Sequence, residues 1–161
     1  GATITKDTYS GAEGDQLVEL EREFDVANAH IDQSRLLSLE NDVTLYRSAA
    51  AAGAFLAATT GVYRSPQGKQ LLQQAFTSSS SGLKGARFSI DSIRAVKVGA
   101  GGTIVMSTIR SSAGTFRAIF ALAHAGRVVT ALVATGFASV TREADILALL
   151  QRAARRAAAV R

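Results

Sequence analysis

The stretch from Gly101 to Gly136 constrains this chain more than any other part of it. Ile104 and Met106 share one face of a run over residues 103–110. Phe116, Ala118, Phe120 and Leu122 then recur at every second position, and residues 127–135 are rich in valine. Apolar residues at period two mark β-strands. Only Ser111–Gly114 and Ala125-Gly126 separate the three runs. A parallel connection needs a crossover of about a dozen residues, so these strands must be antiparallel neighbours.

The flanking segments extend the sheet. Phe88 and Ile90 alternate with polar neighbours, Val96 and Val98 follow, and Gly99–Gly102 reads as a turn. Leu37, Leu39, Val43 and Leu45 alternate with Ser38, Glu40, Asp42 and Thr44, the pattern of a half-buried strand over 35–46. A short strand is expected at Ala2–Thr5, followed by a loop containing Gly11–Gly14. Leu17–Val26 fits two patterns. Val18, Leu20, Phe24 and Val26 share a strand face, while Leu17, Leu20 and Phe24 share a helix face. The strand is preferred.

Two helical regions interrupt and close the sheet. Ser48 is a good N-cap for the alanine-rich run that follows, with Phe55, Ala58 and Val62 at helical spacing. Ser65-Pro66 restarts the helix, because serine suits the cap and proline the first helical position. Leu71, Leu72, Ala75 and Phe76 make its stripe, and Ser78–Gly82 ends it. In the last helix Thr141 is the expected N-cap, and Glu143 and Asp145 suit the first turns. Ile146, Leu149, Leu150, Ala153 and Ala157 form its apolar stripe. The expected fold is α+β over residues 1–161 as a single domain. A twisted antiparallel sheet carries a long central helical region and a C-terminal helix, with helices on one face and room for one on the other. Phe116, Phe120, Leu132, Leu149 and Leu150 are expected to meet between sheet and last helix.

Composition narrows the chemistry. With 161 residues and 47% hydrophobic content the chain can bury a core without staples. The absence of cysteine removes disulfides, thiolate metal sites and cysteine nucleophiles together. The net charge of +5 is unevenly spread. Residues 1–45 hold ten acids and three bases, and residues 46–161 hold three acids and fifteen bases. The excess of arginine and alanine is what GC-rich coding produces. The longest uncharged helical run, Ser48 to Tyr63, is shorter than the ~20 residues of a membrane span. The chain does not open on Met, and its natural start is expected upstream of Gly1.

No catalytic motif emerges. His30 and His124 have no second ligand at metal-binding spacing and read as ordinary surface or edge histidines. No G-x-S-x-G is present, and Ser78–Ser81 is a poor place to fix a nucleophile. Gly99–Gly102 and Gly11–Gly14 lack phosphate-loop context. Glu19, Glu21 and Glu23 would share a strand face, read as a solvated acidic surface in preference to a glycosidase pair. Arg152, Arg155 and Arg156 are the candidate anion-binding residues, although cations near a helix C-terminus explain them better.

Three segments carry a resemblance: "TLYRSAAAAGAFLAATTG", "GRVVTALVATG" and "DILALLQRAARRA". Over residues 35–160 the pattern is similar to small extracytoplasmic domains and lipoproteins of high-GC Gram-positive bacteria with a Mog1/PsbP-like sandwich. The resemblance implies a mainly non-catalytic role in binding or sensing, and it assigns no functional residue. A lipoprotein would carry its lipidated cysteine upstream of this chain. The expected function is thus a non-enzymatic extracytoplasmic binding or accessory domain, secreted or anchored through a removed N-terminal segment. Its ligand would be a protein, lipid or small molecule, with no cofactor, no metal and no nucleic acid. The alternatives are an enzyme with an unrecognised site, a cytoplasmic location, and an anionic-polymer binder using the basic last helix.

Overall fold

A computed structural model of the chain describes residues 3–10, 14–25, 36–79 and 86–159. Its strands are β1 (Thr3–Ser10), β2 (Gln16–Asp25), β3 (Leu36–Tyr46), β4 (Arg87–Val96), β5 (Gly101–Ser111), β6 (Gly114–Ala125) and β7 (Val128–Phe137). Its helices are α1 (Ala49–Arg64), α2 (Pro66–Ser79) and α3 (Glu143–Ala158). The strands form one antiparallel sheet in the order β1-β2-β3-β7-β6-β5-β4. The three central runs are neighbours, as the short turns require. Leu17–Val26 resolves as strand through Asp25. The first strand runs to Ser10, past the expected Thr5, because β2 offers it a partner over that whole length.

The helix signals are read locally. Ser48 caps α1, its hydroxyl accepting the Ala51 amide at 3.0 Å. Ser65 joins α1 to α2 by donating to the Val62 carbonyl (2.7 Å) and accepting the Gly68 amide (2.9 Å). The cap of α3 differs from expectation. Arg142 occupies it and makes no side-chain capping bond. Thr141 is fully buried instead, and its hydroxyl donates to the Phe137 carbonyl at 3.0 Å. A residue with its side chain turned back into the core cannot reach forward to cap a helix.

The helices divide between the two faces. α3 packs on β6 and β7, where Ile146 and Leu150 meet Ile119, Ala121, Leu132 and Ala134. α1 lies on the opposite face, where Ala52 and Leu56 meet Leu122, Val129 and Ala131. α2 follows it and reaches β4. Thr60 and Thr103 tie α1 to β5 through a 2.6 Å hydroxyl pair.

This arrangement corrects the expected core. Leu132 and Leu150 do meet under α3. Phe120 lies on the other face with the α1 cluster, and Phe116 stacks on Phe137 at 4.6 Å in a separate cluster with Ile109. Leu149 is only half-buried, and Ala154 in place of Ala153 completes the buried stripe of α3. Both phases of β6 are apolar, so alternation alone could not say which phase faces α3. The small side chains of Ala121 and Ala123 decide it, because they let a helix carrying Ile146 and Leu150 come close.

Candidate functional site

Directly paired residues of neighbouring strands share a face of the sheet. The register places Glu19 opposite Thr44, and Thr44 opposite Val129. Glu21 pairs with Asp42, and Asp42 with Ala131. All these positions therefore lie on the face that carries α1. The acidic strand face expected from Glu19 and Glu21 exists, and Glu40 and Asp42 of β3 extend it. The side chain of Glu23 falls outside the described residues.

α1 crosses beside this acidic surface and leaves a cleft of about 130 Å³. Phe55, Thr59 and Tyr63 line it from the helix, at i, i+4 and i+8 on one helical stripe. Phe120 and Leu122 of β6 and Val129 and Ala131 of β7 form its apolar floor. Thr44, Asp42 and Glu19 form the polar wall. The Tyr63 and Phe120 rings meet edge to face, 5.3 Å apart and 87° between planes. Phe55 is 41% exposed at the mouth and leans on Tyr46 at 5.4 Å.

The hydroxyls beside the cleft titrate late. Burial pushes the Tyr63 hydroxyl up to about 12. Burial, and then the negative charge of Glu19, push the Tyr46 hydroxyl up to about 12 as well. Both are neutral hydrogen-bonding groups at physiological pH. A cleft with apolar floor, aromatic walls and a few converging polar groups is the usual form of a binding site. Among the described residues no three His, Asp or Glu side chains are grouped to hold a metal.

The other expected residues lie elsewhere. His124 is half-buried under α1 near the end of β6, with its Nε2 3.7 Å from where a Gly53 Cβ would sit. Its Nδ1 is buried without a hydrogen-bond partner among the described residues. It does not line the cleft. His30 lies outside the described residues. Arg152, Arg155 and Arg156 are exposed on the outer face of α3. Arg155 also borders a wide depression with Gly99, Gly126 and Gln151. A second depression, walled by Arg64, Lys69 and residues 90–93 of β4, lies at the junction of α1 and α2. Neither brings aromatic and charged groups together as the α1 cleft does. Sequence reasoning singled out Glu19 but not Asp42, and it missed Phe55, Tyr63 and Phe120 as a group. Their only sequence signal is the Phe55-Thr59-Tyr63 spacing, which a core stripe would share.

No family model matches the chain, and no curated protein matches it. Among solved structures, the crystal structure of the extracellular domain of PknH from Mycobacterium tuberculosis is similar, with a TM-score of 0.59. The match covers 96% of this chain and 85% of that chain at 11% sequence identity. The two chains share a fold. At that identity the likeness carries no residue across. No helix among the described residues is long and apolar enough to cross a membrane.

Proposed function

We propose that this chain is a single, non-enzymatic binding domain that works outside the cytoplasm and takes its ligand in the cleft beside α1. The observation that carries this reading is the cleft itself, where aromatic rings and carboxylates from one helix and three strands converge. The fold shared with a mycobacterial extracellular domain supports the location. The sequence resemblance to Mog1/PsbP-like extracytoplasmic domains belongs to the same reading, and the antiparallel sheet with helices packed on it supports it.

The test is a small-molecule fragment screen followed by protein NMR, run on the wild type and on Thr59→Phe. Thr59 is a half-buried helix position, so the larger side chain blocks the cleft from its open side. Bound fragments are expected to shift the resonances of Thr44, Thr59, Tyr63 and Ala131 and to lose affinity at least tenfold in Thr59→Phe. Hits that map elsewhere, or that ignore the substitution, would overturn the reading. Turnover of any ester, phosphate or glycoside by the wild type, lost when His30 and His124 are replaced by Gln, would favour an enzyme instead.

A further inference from the structure

The composition of the cleft says more than that something binds there. Its walls combine two features that seldom meet in an apolar pocket. One is ring surface: Tyr63 and Phe120 stand perpendicular, forming two sides of a corner, and Phe55 guards the mouth. The other is negative charge from Glu19 and Asp42. The face of an aromatic ring is the negative part of its quadrupole, so rings and carboxylates favour the same kind of guest. An anion would meet two carboxylates.

The floor adds a third feature. Thr44 is 7% exposed and lines the cleft. Its hydroxyl oxygen is able to accept a hydrogen bond from a donor that enters the cleft. The volume sets the scale. Sites that enclose a drug-sized molecule run to about 300–1,000 Å³. A cleft of about 130 Å³ takes a head group, with the remainder of the ligand outside.

Resting on the reading above that this cleft is the ligand site, we propose that it recognises the positively charged end of an organic ammonium compound. Glu19 and Asp42 supply the countercharge, Tyr63, Phe120 and Phe55 the ring faces, and Thr44 an acceptor for an N–H. An N–H-bearing ammonium uses all three features, whereas a quaternary ammonium uses only the rings and the charge. A lysine side chain and a free alkylamine present the same group, so two kinds of source meet one chemistry.

The experiment is NMR titration of the whole chain with four probes: n-butylammonium chloride, tetramethylammonium chloride, neutral n-butanol, and an acetylated, amidated lysine. Butylammonium is expected to bind at least tenfold more tightly than butanol at the cleft residues, and to weaken as salt rises. Tetramethylammonium below butylammonium supports the Thr44 contact. A capped lysine equal to butylammonium assigns the site to peptide side chains, and a capped lysine that fails assigns it to free amines. Glu19→Gln should reduce butylammonium affinity about tenfold and leave butanol unchanged. Phe55→Ala, at an exposed position that leaves the fold intact, should reduce both ammonium probes and serves if Glu19→Gln is unstable. Butanol binding in the cleft as well as butylammonium would sink the cation assignment while leaving the binding cleft standing. If no probe shifts the cleft and fragments bind elsewhere, both readings fall.

Discussion

The two faces of the sheet are built differently. On the α3 side, Ile104, Ile119, Ile146 and Leu150 are each at most 1% exposed, and alanines fill the space between them. On the α1 side, only Ala52 and Leu56 of the helix are buried, and Phe55 and Val62 stand 41% and 51% exposed. One face is closed by a helix that fits it. The other is crossed by a helix that leaves a cleft beside an acidic strand pair. The contrast puts the tightest packing on the α3 face and the open cleft on the α1 face, and a closed core has nowhere to admit a ligand.

The largest effect expected from this contrast is on stability. Leu150→Ala should cost about 2–5 kcal/mol in denaturant melts, from lost burial plus the cavity left behind. Leu149→Ala, at a half-buried position one residue away, should cost less than half as much. Equal losses would mean that α3 is rotated from the phase described here.

The next effect is seen in alkali. A hydroxyl whose folded pKa is raised binds its proton more tightly in the native state, so it supports folding fully below about pH 10 and loses that support as pH rises towards about 12. Tyr46 and Tyr63 are therefore expected to show tyrosinate absorbance only near pH 12, with stability falling over the window from about 10 to 12. Tyr63→Phe should remove one late-titrating group. If that group instead titrates at the ordinary value, the α1 side is open to solvent at Tyr63 and the cleft is wider than drawn.

Smaller effects sharpen the edges of the comparison. Replacing Arg152, Arg155 and Arg156 by Gln should lower stability modestly, since a cation in the last helical turn contributes roughly 0.3–1 kcal/mol. Heparin and DNA affinity should be weak before and after. A steep, salt-dependent affinity lost in the triple variant would instead place a polyanion site on the outer face of α3. Gly61→Ala should be the mildest change. A Cβ there meets nothing within 4 Å in a regular helix, so removing glycine's unfolded-state freedom should gain about 0.5–1 kcal/mol.

Much of the closed face was legible in the chain. The period-two runs and tight turns of β5, β6 and β7 dictated their pairing, and the Ile146–Leu150 stripe dictated that α3 would bury. Legibility ended where both phases of a strand were apolar. In β6, Ile119 and Ala121 compete with Phe120 and Leu122, and only tertiary packing shows that the alanines face α3. The cleft was harder still. Glu19, Asp42, Tyr63, Phe120 and Ala131 come from five elements, and it takes the β2–β3–β7 register to bring the acids and the floor together. Glu19 and Glu21 were visible as a strand face, but nothing local says that a helix with aromatic side chains will pass beside them. Thr141 failed as a cap for a similar reason, because a long-range pull into the core outweighed a local preference.

On the proposed reading, ligands enter on the α1 side and the cleft there selects an ammonium group. Intermolecular NOEs between n-butylammonium and the protein test it most directly. Contacts are expected from the methylene beside the nitrogen to ring protons of Phe55, Tyr63 and Phe120, with none to the methyl groups of Ile146 or Leu150. Contacts to the α3-side methyl groups, or contacts from the butyl tail alone to the aromatic rings, would contradict it.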